Sequence, residues 1–201
     1  MAGEDARVPF VGLTGGIGAG KSEALAALER LGAATLSTDA VVRELLQTDE
    51  LRDALVERLG EDVAPGGSID RSAVAAKVFD DPEQREWLEG QLWPRVGQRV
   101  WEWRQEQEAR EPRPKAAVVE VPLLFESGMD KAFDSTIAVV ADEAVRNERA
   151  EARGHVGVAS RTSRQLSQEE KAQRADFVIE NDGTLEELEG KMSRLLERIG
   201  V

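Results

Sequence analysis

The feature that most constrains the fold of this chain is an eight-residue stretch with the pattern G-x-x-x-x-G-K-S. The stretch runs from Gly15 to Ser22, between an apolar run, Val8 to Leu13, and a helical pattern that starts near Lys21. Glycines let the backbone curl so that successive N–H groups point inward, and the following helix adds the positive end of its dipole. A strand, a loop and a helix in this order predict a phosphate-binding loop.

This loop supplies the first candidate functional residues. In such loops the lysine reaches the β- and γ-phosphates of a nucleotide and the serine hydroxyl binds Mg²⁺, so Lys21 is a predicted catalytic residue and Ser22 a predicted metal ligand. We predict that ATP is bound by Gly16, Gly18, Ala19, Gly20, Lys21 and Ser22. A turn that binds nothing is the alternative, since glycine also serves ordinary tight turns. Eight constrained positions between a strand and a helix favour the binding site.

The composition of the chain limits the classes of protein to consider. A chain of 201 residues can bury a substantial core as one domain, with or without insertions. The absence of cysteine excludes a disulfide framework, and a formal net charge of −13 argues against binding to nucleic acid. No apolar run approaches the roughly 20 residues of a membrane span. We expect a cytoplasmic protein that binds a small molecule, without a membrane or an obligate protein partner.

The remaining pattern alternates strands and helices along the chain. Buried strands are predicted at Val8–Leu13, Ala33–Ser37, Ala116–Val121, Ser135–Val140 and Phe177–Ile179. Continuous apolar strands separated by helices predict a parallel sheet that is covered on both faces. The last helix has a capping box at Thr184 and an apolar stripe that we expect in the core, formed by Leu185, Leu188, Met192, Leu195 and Ile199. We predict a single α/β domain, a three-layer sandwich with a parallel five-stranded sheet.

Nearly eighty residues between the second and third predicted strands carry helical patterns only. A helical insertion over residues 40–114 is therefore predicted. Leu51, Leu55 and Leu59 mark one helix, and a longer pattern follows Pro82, which suits a first-turn position. We predict that Pro94 kinks or splits the longer helix, because an interior proline costs about 3 kcal/mol. The four tryptophans fall in this region, and we expect packing to be the role of at least two: Trp87, Trp93, Trp101 and Trp103.

A basic segment, Arg146 to Arg174, contrasts with the acidic composition of the whole chain. Its lysines and arginines outnumber its aspartates and glutamates by three. One interpretation is a solvated helical face with paired charges. The other is a kinase lid, whose arginines neutralise the transferring phosphoryl group when the lid closes. We predict a lid over residues 146–174, with Gly154 and Gly157 as hinges, and regard His155 as incidental.

Asp39 is the residue predicted to act on the acceptor of the phosphoryl group. It follows the second predicted strand, at the carboxyl end of a parallel sheet, where ligands bind in such folds. A helix N-cap is the alternative role, and both roles hold if a capping carboxylate also accepts a proton from an acceptor hydroxyl. The motifs with which guanine-nucleotide switches read guanine, N-K-x-D and D-x-x-G, do not occur in the sequence. Their absence favours a kinase over a GTPase.

Six stretches, in order, resemble the dephospho-coenzyme A kinase family. They are Val11 to Ser22; Thr38-Asp39-Ala40; Ile69-Asp70-Arg71 with Val78-Phe79; Pro122 to Glu126; the lid pattern Arg149, Arg153, Arg161 and Gln165; and Ala175 to Ile179 followed by Asn181. The resemblance covers the chain from about Val8 to its end. Two departures occur, since the family's usual His-Pro is Trp93-Pro94 here and its D-A-D motif is Ser37-Thr38-Asp39.

The resemblance implies a P-loop kinase that uses ATP and Mg²⁺ to phosphorylate the ribose 3′-hydroxyl of dephospho-coenzyme A, the last step of coenzyme A synthesis. It implies that Asp39 orients or deprotonates this hydroxyl, that Arg149 contacts phosphate as a catalytic lid residue, and that Asn181 borders the adenine. Arg71 and Glu126 are further candidates for acceptor binding, with a structural ion pair as the alternative for each. Two other functions stay open: another P-loop kinase of the nucleoside-monophosphate-kinase type, and a nucleotide-binding protein without turnover.

Overall fold

The computed structural model describes residues 7–152 and 165–200, without the side chains of residues 150–152. The strands in these residues are β1 (Phe10–Gly15), β2 (Ala34–Ser37), β3 (Ala117–Glu120), β4 (Ser135–Val140) and β5 (Phe177–Glu180). They form one sheet in the order β2-β3-β1-β4-β5, and each pairing between neighbours is parallel. The predicted α/β fold with a parallel five-stranded sheet is confirmed.

The central strands of the sheet explain where the phosphate loop lies. All six residues of β1 and all four of β3 are buried, as expected for strands that are covered on both faces and therefore read as continuous apolar runs. In the register of the sheet, Leu13 pairs with Glu120 of β3 and Gly15 pairs with Val139 of β4. The loop after Gly15 thus leaves the middle of the carboxyl edge, where ligands bind in open α/β sheets.

The helices follow the predicted alternation with the strands. They are α1 (Lys21–Arg30), α2 (Thr38–Leu45), α3 (Asp49–Leu59), α4 (Arg71–Phe79), α5 (Pro82–Glu108), α6 (Glu143–Ala152), α7 (Gln168–Arg174) and α8 (Leu185–Ile199). Short 3-10 turns occur at Glu61–Val63, Pro65–Gly67 and Met129–Ala132. In the part of the chain that the structure describes, no helix has the length and apolar character to cross a membrane. The chain divides into two compact units, one formed by Thr38–Trp103 and the other by the remaining described residues, which include the sheet.

In the unit that contains the sheet, α8 covers part of the core as predicted. Its capping box is present: the Thr184 hydroxyl accepts from the Glu187 N–H at 3.2 Å, and the Glu187 carboxylate accepts from the Thr184 N–H at 2.9 Å. Leu188 and Met192 are buried in one cluster with residues of β1, β4 and α1. Leu185 is 65% exposed, so its predicted core position is wrong. It is the first residue of α8, and its side chain lies at the end of the apolar stripe rather than over the core.

The helical unit has a separate core. Leu51, Leu55 and Leu59 of α3 are buried against Val74 of α4, and Trp87 packs against them. Trp87 also lies under the Arg58 guanidinium, and Trp103 is buried, so the packing role expected for two tryptophans is confirmed. The other two, Trp93 and Trp101, are exposed.

Pro94 does not split the long helix, because α5 is one helix of 27 residues that begins at Pro82 as predicted. Leu88 and Leu92 pack into the core before the proline, and Val96 and Val100 are buried after it. Burial on both sides outweighs the roughly 3 kcal/mol that an interior proline costs. Of the two predicted effects, the split is therefore wrong, and a kink at Pro94 stays a prediction.

Candidate active site

The phosphate loop joins β1 to α1 through a turn at Ile17 and Gly18. Gly20, the residue before α1, has φ 93° and ψ 30°, a left-handed conformation that favours glycine. A Cβ atom on Gly20 would lie 2.1 Å from Nδ2 of Asn181, so this position has no room for a side chain. Gly20 has no side chain with which to cap α1. The first N–H groups of a helix lie at the positive end of its dipole and suit an anionic ligand.

Asn181 holds the loop in place from the end of β5. Its side chain is buried, and Nδ2 donates a hydrogen bond of 2.9 Å to the carbonyl oxygen of Ala19. The Asn181 N–H donates to the carbonyl oxygen of Val140 at 2.8 Å, which fixes the residue to the end of β4. Asn181 thus contacts the backbone of the predicted ATP-binding loop, and its place beside the adenine stays a prediction.

The side chain of Lys21 lies over the phosphate loop. Its Nζ is 3.0 Å from the carbonyl oxygen of Gly16 and 3.2 Å from that of Gly15. An ammonium group donates more strongly to an anionic oxygen than to a neutral carbonyl, so a phosphate placed here would compete for these donors. Ser22, the next residue, is exposed in the first turn of α1. The roles of both side chains in phosphate and metal binding stay predictions.

Arg149 approaches the same loop from α6. Its Nη1 donates to the carbonyl oxygen of Asn181 at 2.9 Å, and the same atom would lie 3.7 Å from a Cβ on Gly20. A guanidinium has five N–H donors, and this contact uses one of them. This arginine of the predicted lid is thus brought next to the predicted ATP site. Other residues of the lid prediction lie outside the described residues: Arg153, Gly154, His155, Gly157, Arg161 and Arg164.

A buried ion pair links α7 to the segment after β3. Lys171 is fully buried, and its Nζ is 2.6 Å from the carbonyl oxygen of Pro122 and 3.2 Å from Oε1 of Glu126. The same carboxylate oxygen accepts from the Leu166 N–H at 2.8 Å. Burial lowers the pKa of Lys171, whereas the charge and the hydrogen bond of Glu126 act in the opposite direction. Glu126 therefore has the structural ion pair that the sequence left open, and its role in acceptor binding stays a prediction.

Sequence reasoning missed Lys171. The residue stands in the charged run Glu169-Glu170-Lys171, which is typical of an exposed helix. Its partner Glu126 is 45 positions earlier, so no helical spacing connects the two. Only the fold brings them together.

Asp39 and Arg71 belong to the helical unit. Asp39 is the second residue of α2, which begins directly after β2, and it is exposed. This position is inside the first turn and is not the N-cap. A carboxylate there interacts favourably with the positive end of the helix dipole. Arg71 is the exposed first residue of α4, whose N-cap is Asp70. The structure leaves both side chains accessible, and their roles toward the acceptor stay predictions.

Lys171→Met is expected to lower the free energy of unfolding by about 3–5 kcal/mol, because it leaves the Glu126 carboxylate without its partner in a protein interior. Adding Glu126→Gln removes that charge. The loss in free energy of unfolding of the double variant is therefore expected to be smaller than the sum of the losses of the two single variants. Urea denaturation of the three variants measures this coupling. The exposed pair between Arg30 and Glu189 is the control, and breaking it with Arg30→Met is expected to change stability by about 0–1 kcal/mol. Equal losses of stability in Lys171→Met and Arg30→Met would contradict the prediction that the buried pair contributes more than the exposed pair.

The same pair predicts a pH dependence of stability. The pKa of Lys171 in the folded chain is below its ordinary value of 10.5, so the unfolded chain still holds this proton at pH values where the folded chain has lost it. The free energy of unfolding therefore rises with pH in the interval just below 10.5. Lys171→Met lacks this contribution, so the wild-type advantage over the variant is expected to increase through that interval. A constant difference would contradict the lowered pKa.

A central parallel strand that enters a G-x-x-x-x-G-K-S loop, with a lysine over the loop and a helix that begins at a left-handed glycine, places this chain among the P-loop phosphotransferases. Residues 9–187 match the sequence model of one family in this class, dephospho-CoA kinase. The chain belongs to the dephospho-CoA kinase family. Its reaction is therefore the phosphorylation of dephospho-coenzyme A, the last step of coenzyme A synthesis, and family membership implies ATP as the donor.

Relatives with this family name cover almost the whole chain. The dephospho-CoA kinase of Deinococcus radiodurans is 38% identical over 199 residues, which are 95% of this chain and 92% of the relative. A protein from Thermus thermophilus with a known crystal structure is 33% identical in sequence to this chain. The two structures match with a TM-score of 0.78 over 96% of this chain and 98% of the Thermus chain. The dephospho-CoA kinase from Campylobacter jejuni, at 22% identity, has the same fold, with a TM-score of 0.67 over 96% of this chain and 98% of its own. The family resemblance seen in the sequence is confirmed.

Proposed function

We propose that the loop from Gly15 to Ser22 binds ATP with Mg²⁺ and that its γ-phosphoryl group is transferred to the ribose 3′-hydroxyl of dephospho-coenzyme A. The observation that carries this proposal is the start of α1. There Gly20 is left-handed, has no room for a side chain beside Asn181, and supplies no side-chain cap to the helix. A glycine loop that leads into a helix N-terminus suits a phosphate group.

The residues of the loop fit both ATP and a magnesium ion. The backbone N–H groups of the loop and the Lys21 ammonium would hold the β- and γ-phosphates, and the exposed Ser22 hydroxyl would be the protein ligand of Mg²⁺. Magnesium in kinase sites is usually held by few protein groups together with water and phosphate oxygens. When bound, the ion neutralises negative charge on the phosphates. The hydroxyl of Ser22 and the charge of Lys21 are the contributions of this chain.

Catalysis then depends on positioning and on charge. The 3′-hydroxyl oxygen forms a bond to the γ-phosphorus, the bond from that phosphorus to the β,γ-bridging oxygen breaks, and ADP leaves. Asp39 orients the hydroxyl or accepts its proton, and the helical insertion that follows it, residues 40–114, binds the acceptor. Arg149 contacts the phosphates when the lid over residues 146–174 closes. Its present contact with the Asn181 carbonyl leaves donors of the same guanidinium available for that step.

Product analysis tests this function directly. The protein is incubated with ATP, Mg²⁺ and a panel of acceptors that contains dephospho-coenzyme A, adenosine, nucleoside monophosphates and shikimate, and the products are identified by mass spectrometry. Phosphorylation of dephospho-coenzyme A alone, at the 3′ position by fragmentation, is the expected result. A different phosphorylated acceptor would support another small-molecule kinase. Binding of ATP without any product would support a nucleotide-binding protein without turnover.

A further inference from the structure

Arg146 is the residue of α6 that contacts the tip of the phosphate loop. A Cβ atom on Gly18 would lie 2.5 Å from the carbonyl oxygen of Arg146 and 3.0 Å from its Cα. Gly18 also has φ 78°, in the left-handed region. The backbone of α6 and the backbone of the loop are therefore in direct contact here. A side chain at position 18 is excluded by its conformation and by this neighbour.

The guanidinium of Arg146 extends from this contact toward Gly16. Its Nη1 would lie 3.3 Å from a Cβ on Gly16, and the Gln168 side chain lies on the same side of that glycine. Nε of Arg146 is buried and has no hydrogen-bond partner among residues 7–152 and 165–200. A buried N–H without an acceptor destabilises the folded protein, and such groups are rare in native structures. An acceptor supplied by a ligand would remove this penalty.

The charge of Arg146 acts on the carboxylate of Glu169, at the start of α7. The pKa of Glu169 is lowered, first by a hydrogen bond from its own backbone, then by hydrogen bonds from Gln168 and Ser167, and to a smaller extent by the charge of Arg146. Glu169 is exposed, so solvent screens this interaction. It therefore leaves the guanidinium available to a stronger anionic partner.

Two cations converge at one end of the loop. Lys21 places its Nζ at the carbonyl oxygens of Gly15 and Gly16, and Arg146 places Nη1 beside Gly16. Like charges that approach one backbone position repel unless an anion lies between them. Arg149, three residues later on the same face of α6, contacts the other end of the loop at Gly20. The two arginines thus approach the loop at its two ends.

We infer that Arg146 binds the γ-phosphate of ATP beside Lys21 and neutralises its charge during transfer. This inference rests on the proposed ATP site. The loop lysine of a P-loop kinase reaches the β- and γ-phosphates, so the end of the loop where Lys21 and Arg146 converge is the end for the terminal phosphate. A planar guanidinium presents two parallel N–H donors to phosphate oxygens, and its buried Nε gains an acceptor in the same contact.

Binding of two nucleotides that differ in the γ-phosphate tests the inference. Calorimetric titration with Mg²⁺ compares ADP with the non-hydrolysable ATP analogue AMPPNP. Arg146→Met is expected to weaken AMPPNP binding about 10-fold or more and ADP binding less than about 2-fold, as for one lost charge-assisted contact. Arg146→Lys keeps the positive charge but lacks the two parallel N–H donors of the guanidinium. It is expected to lose part of the AMPPNP affinity and, like Arg146→Met, to weaken AMPPNP binding more than ADP binding. The matched control Arg30→Met removes an exposed arginine of α1 and is expected to change neither affinity.

The outcomes separate this inference from the ATP site itself. Wild-type protein that binds neither nucleotide would contradict the proposed function. Wild-type binding of both nucleotides, with equal weakening of ADP and AMPPNP in the Arg146 variants, would assign Arg146 to support of the loop and overturn the inference. Unchanged affinities would overturn it as well. If Arg146→Met does not fold, the selectivity measured with Arg146→Lys decides in the same way.

Discussion

Lys21→Ala is expected to abolish phosphoryl transfer while the fold stays intact. The ammonium of Lys21 lies over the loop, held by the carbonyl oxygens of Gly15 and Gly16, so it is positioned for phosphate before a nucleotide binds. A positioned donor at a developing charge is worth about 10²- to 10³-fold in rate, and the lost positive charge also weakens ATP binding. Turnover with saturating acceptor is measured beside circular dichroism and the midpoint of thermal unfolding.

The control for this prediction is Lys131→Ala. Lys131 is an exposed lysine in the unit that contains the sheet, and it has no part in the proposed site. Its loss changes the net charge in the same way and is expected to leave turnover within about 2-fold, since exposed charges removed from the site are screened by salt. A folded Lys21→Ala variant with turnover near that of the wild type would remove the loop from the mechanism.

Much of the fold could be predicted because its signals are local. The interior strands are nearly continuous apolar runs, and Ser135–Val140 is a strand over the predicted residues. The predicted capping box at Thr184 is present because its two hydrogen bonds join residues three positions apart. A split at Pro94 was wrongly allowed for because helix propensity is a weak guide when apolar residues on both sides of a proline are buried. Leu185 was misjudged because a helical stripe does not show where the core that it covers ends.

The candidate site divides in the same way. The phosphate loop was predictable since its chemistry lies in consecutive residues, and the structure places them between a strand and a helix. The contacts around it join distant parts of the chain: Asn181 binds the carbonyl of Ala19, and Lys171 binds Glu126. Spacing rules for helices and strands relate residues that are a few positions apart, so they do not reveal such pairs. The unpartnered Nε of Arg146 depends on packing against the loop and has no sequence signature.

Asp39→Asn is expected to lower turnover about 10²-fold or more, with ATP still bound, if Asp39 orients or deprotonates the acceptor hydroxyl. The amide keeps the size of the side chain and loses its ability to accept a proton. Asp39 is exposed in the first turn of α2, where its charge interacts with the helix dipole through solvent, so thermal stability is expected to change little. Asp39 lies inside the first turn of α2 rather than at its N-cap, so a loss of helix capping would not produce this result.

Glu44→Gln makes the matched change on the same helix. Glu44 is an exposed carboxylate in the last turn of α2, and its conversion to an amide is expected to leave turnover and stability unchanged. ATP affinity by calorimetry separates an effect on the acceptor from damage to the phosphate loop. A folded Asp39→Asn enzyme with turnover within a few-fold of the wild type would show that another residue activates the 3′-hydroxyl.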